Sequence, residues 1–427
     1  MGSVNMKNIG ACGSRLELDP VAQYYAATIN DTCPGTFNVS ARLKEMVNPE
    51  ILQKAVNDLI RRLPFLSGQL RSGFFRHYIE LLDSPPQIVP SKDVTSFGRC
   101  HKKGRDNLLK VLYGERHFTV ETTHIVCDGR SLAKIVSALL VRYFGLSGVS
   151  IDKSEVIDCS GQMRPEETED AFTSHISNID PKEAQDIFKR YVATQSKNKP
   201  KEAYRFGDSH PAASRIVSKQ FDAAKIKATA KEHGATVSEF ILAHIFMAIA
   251  EERKNHKSKK PIAVMLPIDY RTFFPHETLT NFAMGKVILM PETEDFSEIL
   301  RQIKWQFEEI NASYASDDII GFAKVSRLMR FIPLLIKKRL LKAMKRSIAD
   351  GFTSTFSNLG FVRLPAEIEE RIETLEFAFC PDTEQESYAF SCITIGNALM
   401  LSAAIAVEGA DATDKLMQTL DKLHSSP

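Results

Sequence analysis

The chain has 427 residues, of which 43% are hydrophobic and 25% are charged, and its net charge is +2. These values are typical of a folded protein of two or three domains, and they exclude a general electrostatic attraction to nucleic acid, so we expect no nucleic-acid partner. No run approaches the ~20 consecutive apolar residues that cross a bilayer, and the N-terminus lacks the apolar region of a secretory signal.

The first half of the chain alternates strand and helix patterns. TFNVSARLKEMV (36–47) has an apolar residue at every second position, which predicts a strand with one buried face. Asn48 is suited to be the N-cap, and Pro49 the first residue, of a helix with an apolar stripe that Pro64 ends. Later elements of this half are predicted strands around 74–82 and 109–121 and an amphipathic helix over 131–145.

The pattern weakens between the two halves. From about 150 to 215 the sequence is polar and broken by proline and glycine, so we place the domain connection near 195–215. This predicts an N-terminal domain at 1–200 and a C-terminal domain at 201–427.

The second half restarts the same alternation. Thr236 and Glu239 form a capping box ahead of an apolar helix. The remaining predicted elements are strands at 261–269, 284–290, 353–360, 375–380 and 387–396 and helices at 295–310, beginning at Asp295, and 412–423. Because strands and helices mix in both halves, we expect an α/β protein of two comparable units.

The seven cysteines indicate a reducing compartment. They are scattered, without a Cys-x-x-Cys pair, at positions 12, 33, 100, 127, 159, 380 and 392. Such a set disfavours both a disulfide framework and a structural zinc site. We therefore expect a cytoplasmic protein without a bound metal.

One short stretch, HIVCDG (124–129), stands between a predicted strand and a predicted helix. Loops held by rigid elements often carry catalytic groups, and His124 can take and return a proton near neutral pH. Asp128 can fix the loop by pairing with a cation elsewhere, and Gly129 would permit a tight or φ-positive turn. On spacing alone, a semi-buried histidine followed by an ordinary turn fits as well.

HIVCDG resembles the His-x-x-x-Asp-Gly signature of the CoA-dependent acyltransferase superfamily. That group includes chloramphenicol acetyltransferase, plant BAHD acyltransferases, condensation domains of nonribosomal peptide synthetases and alcohol acetyltransferases. Other stretches resemble family segments in order and extend the resemblance over most of the chain: LDPVAQYYA (18–26), AVNDLIRRLPFLSGQLR (55–71), ATVSEFILAHIFMAI (235–249), LPIDYRTFFP with NFAMG (266–285) and TFSNLG (355–360). The stand-alone alcohol acetyltransferase or condensation-like proteins of microbes are the most similar subgroup.

The resemblance implies two chloramphenicol acetyltransferase-like subdomains, each a mixed sheet flanked by helices, with an active-site tunnel between them. Two departures stand out. Condensation domains usually have two adjacent histidines, whereas Thr123 precedes His124 here. The Asp-Phe-Gly-Trp-Gly block of the plant branch is absent, and the single tryptophan, Trp305, lies elsewhere, so the chain is not similar to a plant-type enzyme.

By the resemblance, His124 is a general base that activates a small-molecule alcohol or amine acceptor for attack on an acyl-CoA thioester. No covalent intermediate and no permanently bound cofactor are implied, since acyl-CoA is a co-substrate. A carrier-protein thioester supplied in trans is the alternative donor, because we identify no carrier or adenylation segment in the sequence. A catalytically inactive scaffold is a further alternative.

Supporting residues follow from the same resemblance. Asp128 is implied to be structural and to pair with an arginine, for which Arg62 is our candidate ahead of Arg61. An oxyanion donor is expected among three residues, each of which could equally cap a strand end: Ser357, Asn358 and Asn281. We interpret Asp269 and Arg271 as interface or structural residues, and Cys127 as a small buried residue rather than a nucleophile.

The second half of the chain contains a strongly basic segment. Residues 319–349 contain no acidic side chain and nine Lys or Arg. On a helical wheel beginning at 334, apolar residues share one side: Ile336, Leu340, Leu341, Met344 and Ile348. Basic residues share the other: Lys338, Arg339, Lys342, Lys345 and Arg346. The pattern fits a packed helix with a solvated basic side, peripheral membrane contact through 334–348, or docking of a polyanion such as CoA or an acidic carrier protein. We expect a monomer.

Overall fold

The computed structural model describes residues 14–30, 34–91, 106–151, 156–177, 179–195, 200–206, 215–382, 386–406, 413–418 and 421. Its strands are β1 (Arg15–Glu17), β2 (Thr36–Leu43), β3 (Gly68–Ser72), β4 (His77–Leu81), β5 (Val89–Pro90), β6 (Lys110–Tyr113), β7 (His117–Thr123), β8 (Arg215–Asp222), β9 (Ala263–Asp269), β10 (Ala283–Leu289), β11 (Ser354–Phe361), β12 (Ile372–Phe379), β13 (Tyr388–Ile395) and β14 (Ala398–Ile405). Its helices are α1 (Pro20–Thr28), α2 (Pro49–Arg62), α3 (Gly129–Leu146), α4 (Ala171–Ser177), α5 (Pro181–Gln195), α6 (Ala223–Glu232), α7 (Val237–Asn255), α8 (Phe296–Glu308), α9 (Ala312–Met329), α10 (Leu334–Ala349) and α11 (Ala366–Glu369).

The strands form one large mixed sheet in each half. In the first half the order is β12-β2-β7-β6-β5, with a small β1-β4-β3 sheet beside it, and in the second half it is β10-β9-β11-β13-β14-β8. Parallel pairs join β11 to β9 and β13, and β5 to β6, while the other pairs are antiparallel. The predicted α/β class with two mixed-sheet units is therefore confirmed.

One strand crosses between the halves. β12 belongs to the second half by sequence, yet it pairs antiparallel with β2 in the sheet of the first half. The hydrophobic core of the first half accordingly includes Leu375 and Phe377 from β12. The predicted boundary near 195–215 stays a prediction, since 196–199 and 207–214 lie outside the described residues.

Strand β2 is buried on both sides, so the prediction of a single buried face is wrong. All its residues except Arg42 are buried. The apolar side packs into the core, while on the other side Ser40 shares a hydrogen bond with Thr119 Oγ1 at 2.7 Å. An interior strand covered on both sides can bury polar residues when they are hydrogen-bonded, and residue alternation alone does not reveal the second cover.

The local start signals of two helices are confirmed. Asn48 Oδ1 accepts hydrogen bonds from the backbone N–H groups of Glu50 at 3.0 Å and Ile51 at 3.2 Å. In the capping box of α7, Thr236 N donates to Glu239 Oε2 at 2.7 Å, and Glu239 N donates to Thr236 Oγ1 at 3.3 Å. These bonds satisfy backbone donors that the helix itself leaves free.

Other elements differ from the predictions. The segment 109–121 is a hairpin of β6 and β7 rather than one strand, because Gly114 N donates to His117 O and closes a turn. Helices α4 and α5 lie where periodicity was weak. They pack with α9 around buried Phe172, Ile187 and Ile319, so their stability comes from a distant helix and not from a local pattern. The predicted C-terminal helix is described only at 413–418 and at 421, where it is helical.

Helix α10 buries a different side from the apolar side that the helical wheel predicts. Its buried stripe consists of Leu334, Lys337, Leu341 and Lys345. Lys337 Nζ donates to Phe75 O at 2.7 Å, and Lys345 Nζ lies 2.8 Å from Asp382 Oδ2. The apolar residues Ile336, Leu340 and Met344 are exposed instead. The side chains of Arg346 and Ile348 lie outside the described part of the chain.

Within the described residues, no single helix is long and apolar enough to cross a membrane. The α6–α7 pair, which bends by 83°, meets the length and composition test only when the two helices are taken together.

Arg62 is buried at the end of α2, but its partner is not Asp128. Arg62 Nη1 and Nη2 donate to the two carboxylate oxygens of Glu167, each at 2.7 Å. Glu167 lies in a short 3₁₀ turn, Pro165–Thr168, inside the polar region for which the sequence predicted no element. The predicted Arg62–Asp128 pair is therefore wrong, because a carboxylate from an unpredicted turn reaches the guanidinium.

We expect Arg62→Met to lower the free energy of unfolding by about 3 kcal/mol, because the buried Glu167 would lose its two-point partner and keep only Arg164, whose Nη2 lies 3.4 Å from Glu167 Oε1. Arg61→Met is the matched control, since the adjacent Arg61 side chain is 75% exposed and should contribute less than about 1 kcal/mol. Urea denaturation measures both values. Equal effects of the two substitutions would refute the buried pair, and adding Glu167→Leu to Arg62→Met should restore stability.

Candidate active site

The histidine motif occupies the corner between β7 and α3. β7 ends at Thr123 and α3 begins at Gly129, so the residues between them form the predicted corner. Asp128 is the N-cap of α3, because its Oδ1 accepts a hydrogen bond from Ser131 N at 2.9 Å. A strand end and a helix start therefore anchor both sides of the turn that carries His124.

The second oxygen of Asp128 joins this corner to the other half of the protein. Asp128 Oδ2 accepts hydrogen bonds from Arg271 Nη1 at 2.8 Å and from Phe282 N at 2.9 Å. The Asp128 and Arg271 side chains are only 5% and 6% exposed. Burial alone would raise the pKa of Asp128, but the charge of Arg271 and the backbone donors lower it below its usual value. The carboxylate is therefore ionised at neutral pH.

Arg271 uses its remaining donors to hold neighbouring backbone. Its Nη2 donates to Thr278 O at 3.0 Å and to Thr280 O at 2.8 Å, and its Nη1 also lies 2.9 Å from Asp269 Oδ1. The expectation that Asp128 pairs with a cation is thus confirmed with Arg271 as the cation. The structural interpretation of Asp269 and Arg271 agrees with these contacts.

Asn281 contacts the imidazole directly. Asn281 Nδ2 donates to Asp19 Oδ2 and to the backbone carbonyl of His124, both at 2.9 Å. These two acceptors fix the orientation of the amide, so its Oδ1 faces His124 Nδ1 at 3.2 Å. Nδ1 consequently carries the ring proton, and in the neutral tautomer the lone pair is on Nε2.

Asp19 supports Asn281 from a third segment. It is the N-cap of α1, where its Oδ1 accepts from Ala22 N at 2.8 Å. Burial raises the pKa of Asp19 to about 7, against the lowering effect of its hydrogen bonds. The resemblance includes the segment LDPVAQYYA but implies no role for Asp19. The Asp-Pro pair before a helix was the available signal for a cap, but nothing local indicates its contact with Asn281.

Two aromatic rings hold the imidazole in place. Tyr25 stacks on His124 with ring centroids 4.5 Å apart, and Phe37 lies 4.7 Å from it at a tilt. Burial lowers the pKa of His124, although the Asn281 hydrogen bond, the negative charge of Asp128 and the Cys127 backbone act in the opposite direction. The ring is therefore neutral at pH 7 and able to accept a proton.

His124 lines a cavity of 1040 Å³ whose wall comes from both halves, as the predicted tunnel between subdomains requires. Tyr25 and Phe37 contribute from the first half, and Met265 and Ser357 from the second. The volume lies just above the ~300–1,000 Å³ range of ligand sites, so the cavity has room for two reactants. Several basic side chains also line it: Arg76, Lys286, Arg327, Arg330, Lys337 and Lys345.

The three expected oxyanion donors have different surroundings. Both donated hydrogens of Asn281 have acceptors already, as described above. Asn358 lines the cavity, but its amide donates to Ser238 Oγ at 2.9 Å and accepts from Gly360 N at 2.7 Å. Ser357 is buried on β11 and lines the same cavity as His124. Ser357 is therefore the best placed of the three to donate to a ligand.

Gly129 and Cys127 have packing roles. A Cβ atom on Gly129 would lie 3.1 Å from Leu359 Cδ2 and 3.2 Å from Phe377 Cζ, so the close approach of β11 and β12 favours a glycine there. Its φ is not positive, so of the two expected alternatives, a tight or a φ-positive turn, the φ-positive one does not occur. Cys127 is buried, and burial raises its pKa well above the usual value, so it remains a thiol. Among the described residues, no cluster of three His, Cys, Asp or Glu is arranged to hold a metal ion.

We expect Asp128→Asn to destabilise the fold by about 1.5–3 kcal/mol at pH 7, because Arg271 would lose the more buried of its two carboxylate partners and keep only Asp269. The pKa of Asp128 is lowered from 3.8 in the folded state, so its stabilisation is complete above that value and is lost as the pH falls through the lowered pKa. The difference in unfolding free energy between the two proteins should therefore shrink in acid. A difference that is independent of pH, or no larger than that of the exposed control Asp83→Asn, would contradict this assignment.

Comparisons with solved structures agree with this architecture, although no family model and no curated protein matches the sequence. Polyketide synthase associated protein 5 from Mycobacterium tuberculosis superposes with a TM-score of 0.59 at 15% identity, over 97% of this chain and 99% of that one. The first condensation domain of the calcium-dependent antibiotic synthetase gives 0.61 at 11% identity, over 98% of each chain. The epimerization domain from the third module of tyrocidine synthetase B gives 0.60 at 12% identity, over 97% of this chain and 96% of that one. The chain therefore has the same two-subdomain fold as these condensation and epimerization domains.

Proposed function

We propose that this protein transfers an acyl group from a carrier-protein thioester, supplied in trans, to a hydroxyl or amine acceptor, with His124 as the general base. The fold is that of condensation domains, which favours this donor over the acyl-CoA that we first expected. The observation that carries the proposal is the His124–Asn281 hydrogen bond in the wall of a cavity lined by both halves.

In the proposed reaction, His124 Nε2 removes the proton from the acceptor hydroxyl or amine as the acceptor oxygen or nitrogen attacks the thioester carbonyl. The tetrahedral intermediate then collapses with cleavage of the carbon–sulfur bond, and the imidazolium returns its proton to the departing thiolate. A neutral ring with its lone pair on Nε2 suits the first step, and a ring that can be protonated suits the second. General acid–base help of this kind contributes ~10²–10⁴-fold.

Ser357 is our candidate for the oxyanion donor. Its hydroxyl can rotate toward the developing negative charge, whereas the amide groups of Asn281 and Asn358 already bond to other residues. Removing one such donor typically costs on the order of 10²-fold in rate. The proposal therefore assigns Asn281 to orienting His124 rather than to binding the oxyanion.

Transfer from acyl-CoA is the second candidate. Basic residues of the cavity wall, such as Arg327 and Arg330, can pair with the phosphates of CoA. A carrier protein presents its acyl group on a phosphopantetheine arm that also bears a phosphate. The cavity wall alone suits both donors, so the choice between them rests on the fold and on the following experiment.

We expect thiol release and product formation when an acyl-loaded carrier protein is supplied with a panel of alcohols and amines, and a loss of ~10²–10⁴-fold in His124→Ala. Acyl-CoA at the same concentration is the parallel donor, and Cys127→Ala is the control because its thiol is buried. Activity with acyl-CoA but not with the loaded carrier protein would show that acyl-CoA is the donor, and the proposed role of His124 would stand. Activity that survives unchanged in His124→Ala would overturn the whole mechanism.

Asn281→Leu should lower kcat on the order of 10²-fold or more while changing KM little, because the ring loses the partner that fixes its tautomer. Wild-type activity should rise with pH and level off below the usual histidine pKa of 6.5, since burial lowers the pKa of His124. The Asn281 bond raises that pKa, so Asn281→Leu should move the acidic limb to still lower pH.

A matched control comes from Asn358→Leu, which changes the other amide in the cavity wall and should leave the acidic limb in place. Rate profiles over pH for the three proteins measure the effect. An Asn281→Leu profile that coincides with the wild type would show that Asn281 is merely structural.

A further inference from the structure

Exposed large apolar residues are concentrated in one region of the protein. Among the described residues, twelve such side chains are exposed. Eight of them belong to the β3–β4 turn or to the stretch from the end of α9 through the first eleven residues of α10: Phe74, Phe75, Leu328, Phe331, Leu335, Ile336, Leu340 and Met344. Scattered exposed apolar residues are normal, but a contiguous group marks an interaction site. We call these eight residues the apolar patch.

The two parts of the apolar patch are in direct contact. Leu334 N, at the start of α10, donates to Phe74 O at 2.9 Å, and Lys337 Nζ donates to Phe75 O at 2.7 Å. Phe74 is 72% exposed and Leu335 is 78% exposed. The β3–β4 turn and the start of α10, which are more than 250 residues apart in the sequence, are thus held against each other, and both carry exposed apolar side chains.

The solvent side of α10 is divided into two stripes. Ile336, Leu340 and Met344 form an exposed apolar stripe. Lys338, Arg339 and Lys342 form a basic stripe beside it, of which Arg339 and Lys342 are exposed. The exposed residues Arg327 and Arg330 extend the positive charge along the end of α9, and no acidic residue occurs between 319 and 349.

We propose that the apolar patch and the adjoining basic stripe bind the surface of an anionic lipid bilayer. Apolar side chains would enter the boundary between head groups and acyl chains, while the basic side chains pair with lipid phosphates and carboxylates. The patch combines the tip of a turn with the outer side of a helix, so its residues project from the protein, and of the eight only Met344 also lines the cavity. A projecting apolar group flanked by one sign of charge suits a soft anionic surface better than a shaped protein partner.

The position of the patch relates it to the cavity. Arg327, Arg330, Lys337 and Met344 belong to the segment that carries the patch and also line the cavity that contains His124. A molecule that leaves the bilayer where the patch contacts it would therefore be next to the cavity that contains His124. The consequence, which rests on the proposed function, is that one reactant is a lipophilic acyl chain or acceptor drawn from the membrane.

Sedimentation of the full-length protein with vesicles of phosphatidylcholine alone, or with phosphatidylserine added, tests the membrane contact without any substrate. We expect binding to the anionic vesicles only, weakened by salt as the Debye length shortens. Arg339→Ser and Lys342→Ser should each lower partitioning about 5-fold. Phe331→Ser with Leu335→Ser should abolish it, while Met46→Ser, equally exposed on the loop between β2 and α2, should have no effect. These surface substitutions should leave thermal unfolding unchanged.

A fluorescence measurement locates the contact. In a Trp305→Phe background, which removes the only natural tryptophan, Leu335→Trp should show a blue shift with anionic vesicles and quenching by brominated acyl chains, and Met46→Trp should show neither. Binding that persists in Phe331→Ser with Leu335→Ser, or no binding at low salt, overturns the proposal. The proposal is also overturned if those variants bind vesicles normally and lose only turnover with the carrier protein, because the patch would then bind the carrier protein. His124→Ala should bind vesicles normally, so failure of the proposed function is distinguishable from failure of this contact.

Discussion

The buried ion pair between Asp128 and Arg271 is the constraint on which the candidate site depends. Asp128 lies at the corner of the histidine motif, Arg271 follows β9 in the other half, and both are almost fully buried. Breaking such a pair leaves a charge in a medium of low polarity, so the two halves are held at this point by a strong penalty on separation. The same carboxylate accepts from Phe282 N, which fixes the backbone next to Asn281. Contact between Asn281 and His124 therefore follows from the ion pair.

The surroundings of the His124 imidazole have opposing effects on its pKa, and together they suit proton transfer. Burial among Tyr25 and Phe37 favours the neutral ring, and the bond to Asn281 selects the tautomer with a lone pair on Nε2. The negative charge of Asp128 favours the imidazolium, but the hydrogen bonds that Asp128 accepts come from other donors and not from the ring. A base of this kind is uncharged before it acts and tolerates a charge afterwards, which suits one proton moving out and back. The arrangement needs no covalent bond between protein and acyl group.

The outer surface near α10 shows the opposite of ordinary amphipathic packing. Two lysines, Lys337 and Lys345, point inward because Phe75 O and Asp382 supply buried partners for their ammonium groups. The helix is thereby rotated so that Ile336 and Leu340 face solvent. Apolar surface that could have been buried is exposed beside the cavity wall, and an external binding partner is the physical reason we assign to it.

The sequence alone determined the features that depend on neighbouring residues. Caps such as Asn48 and the strand–corner–helix arrangement around His124 involve hydrogen bonds between residues within about four positions, and so leave a readable local pattern. The resemblance of several segments to family segments, in the same order along the chain, also predicted two mixed-sheet halves with a cavity between them. Only the tertiary structure decided that Asp128 pairs with Arg271, 143 residues away, and not with Arg62. The same holds for Asn281 as the partner of the ring, because the packing of two halves brings such groups together and no spacing along the chain records that packing.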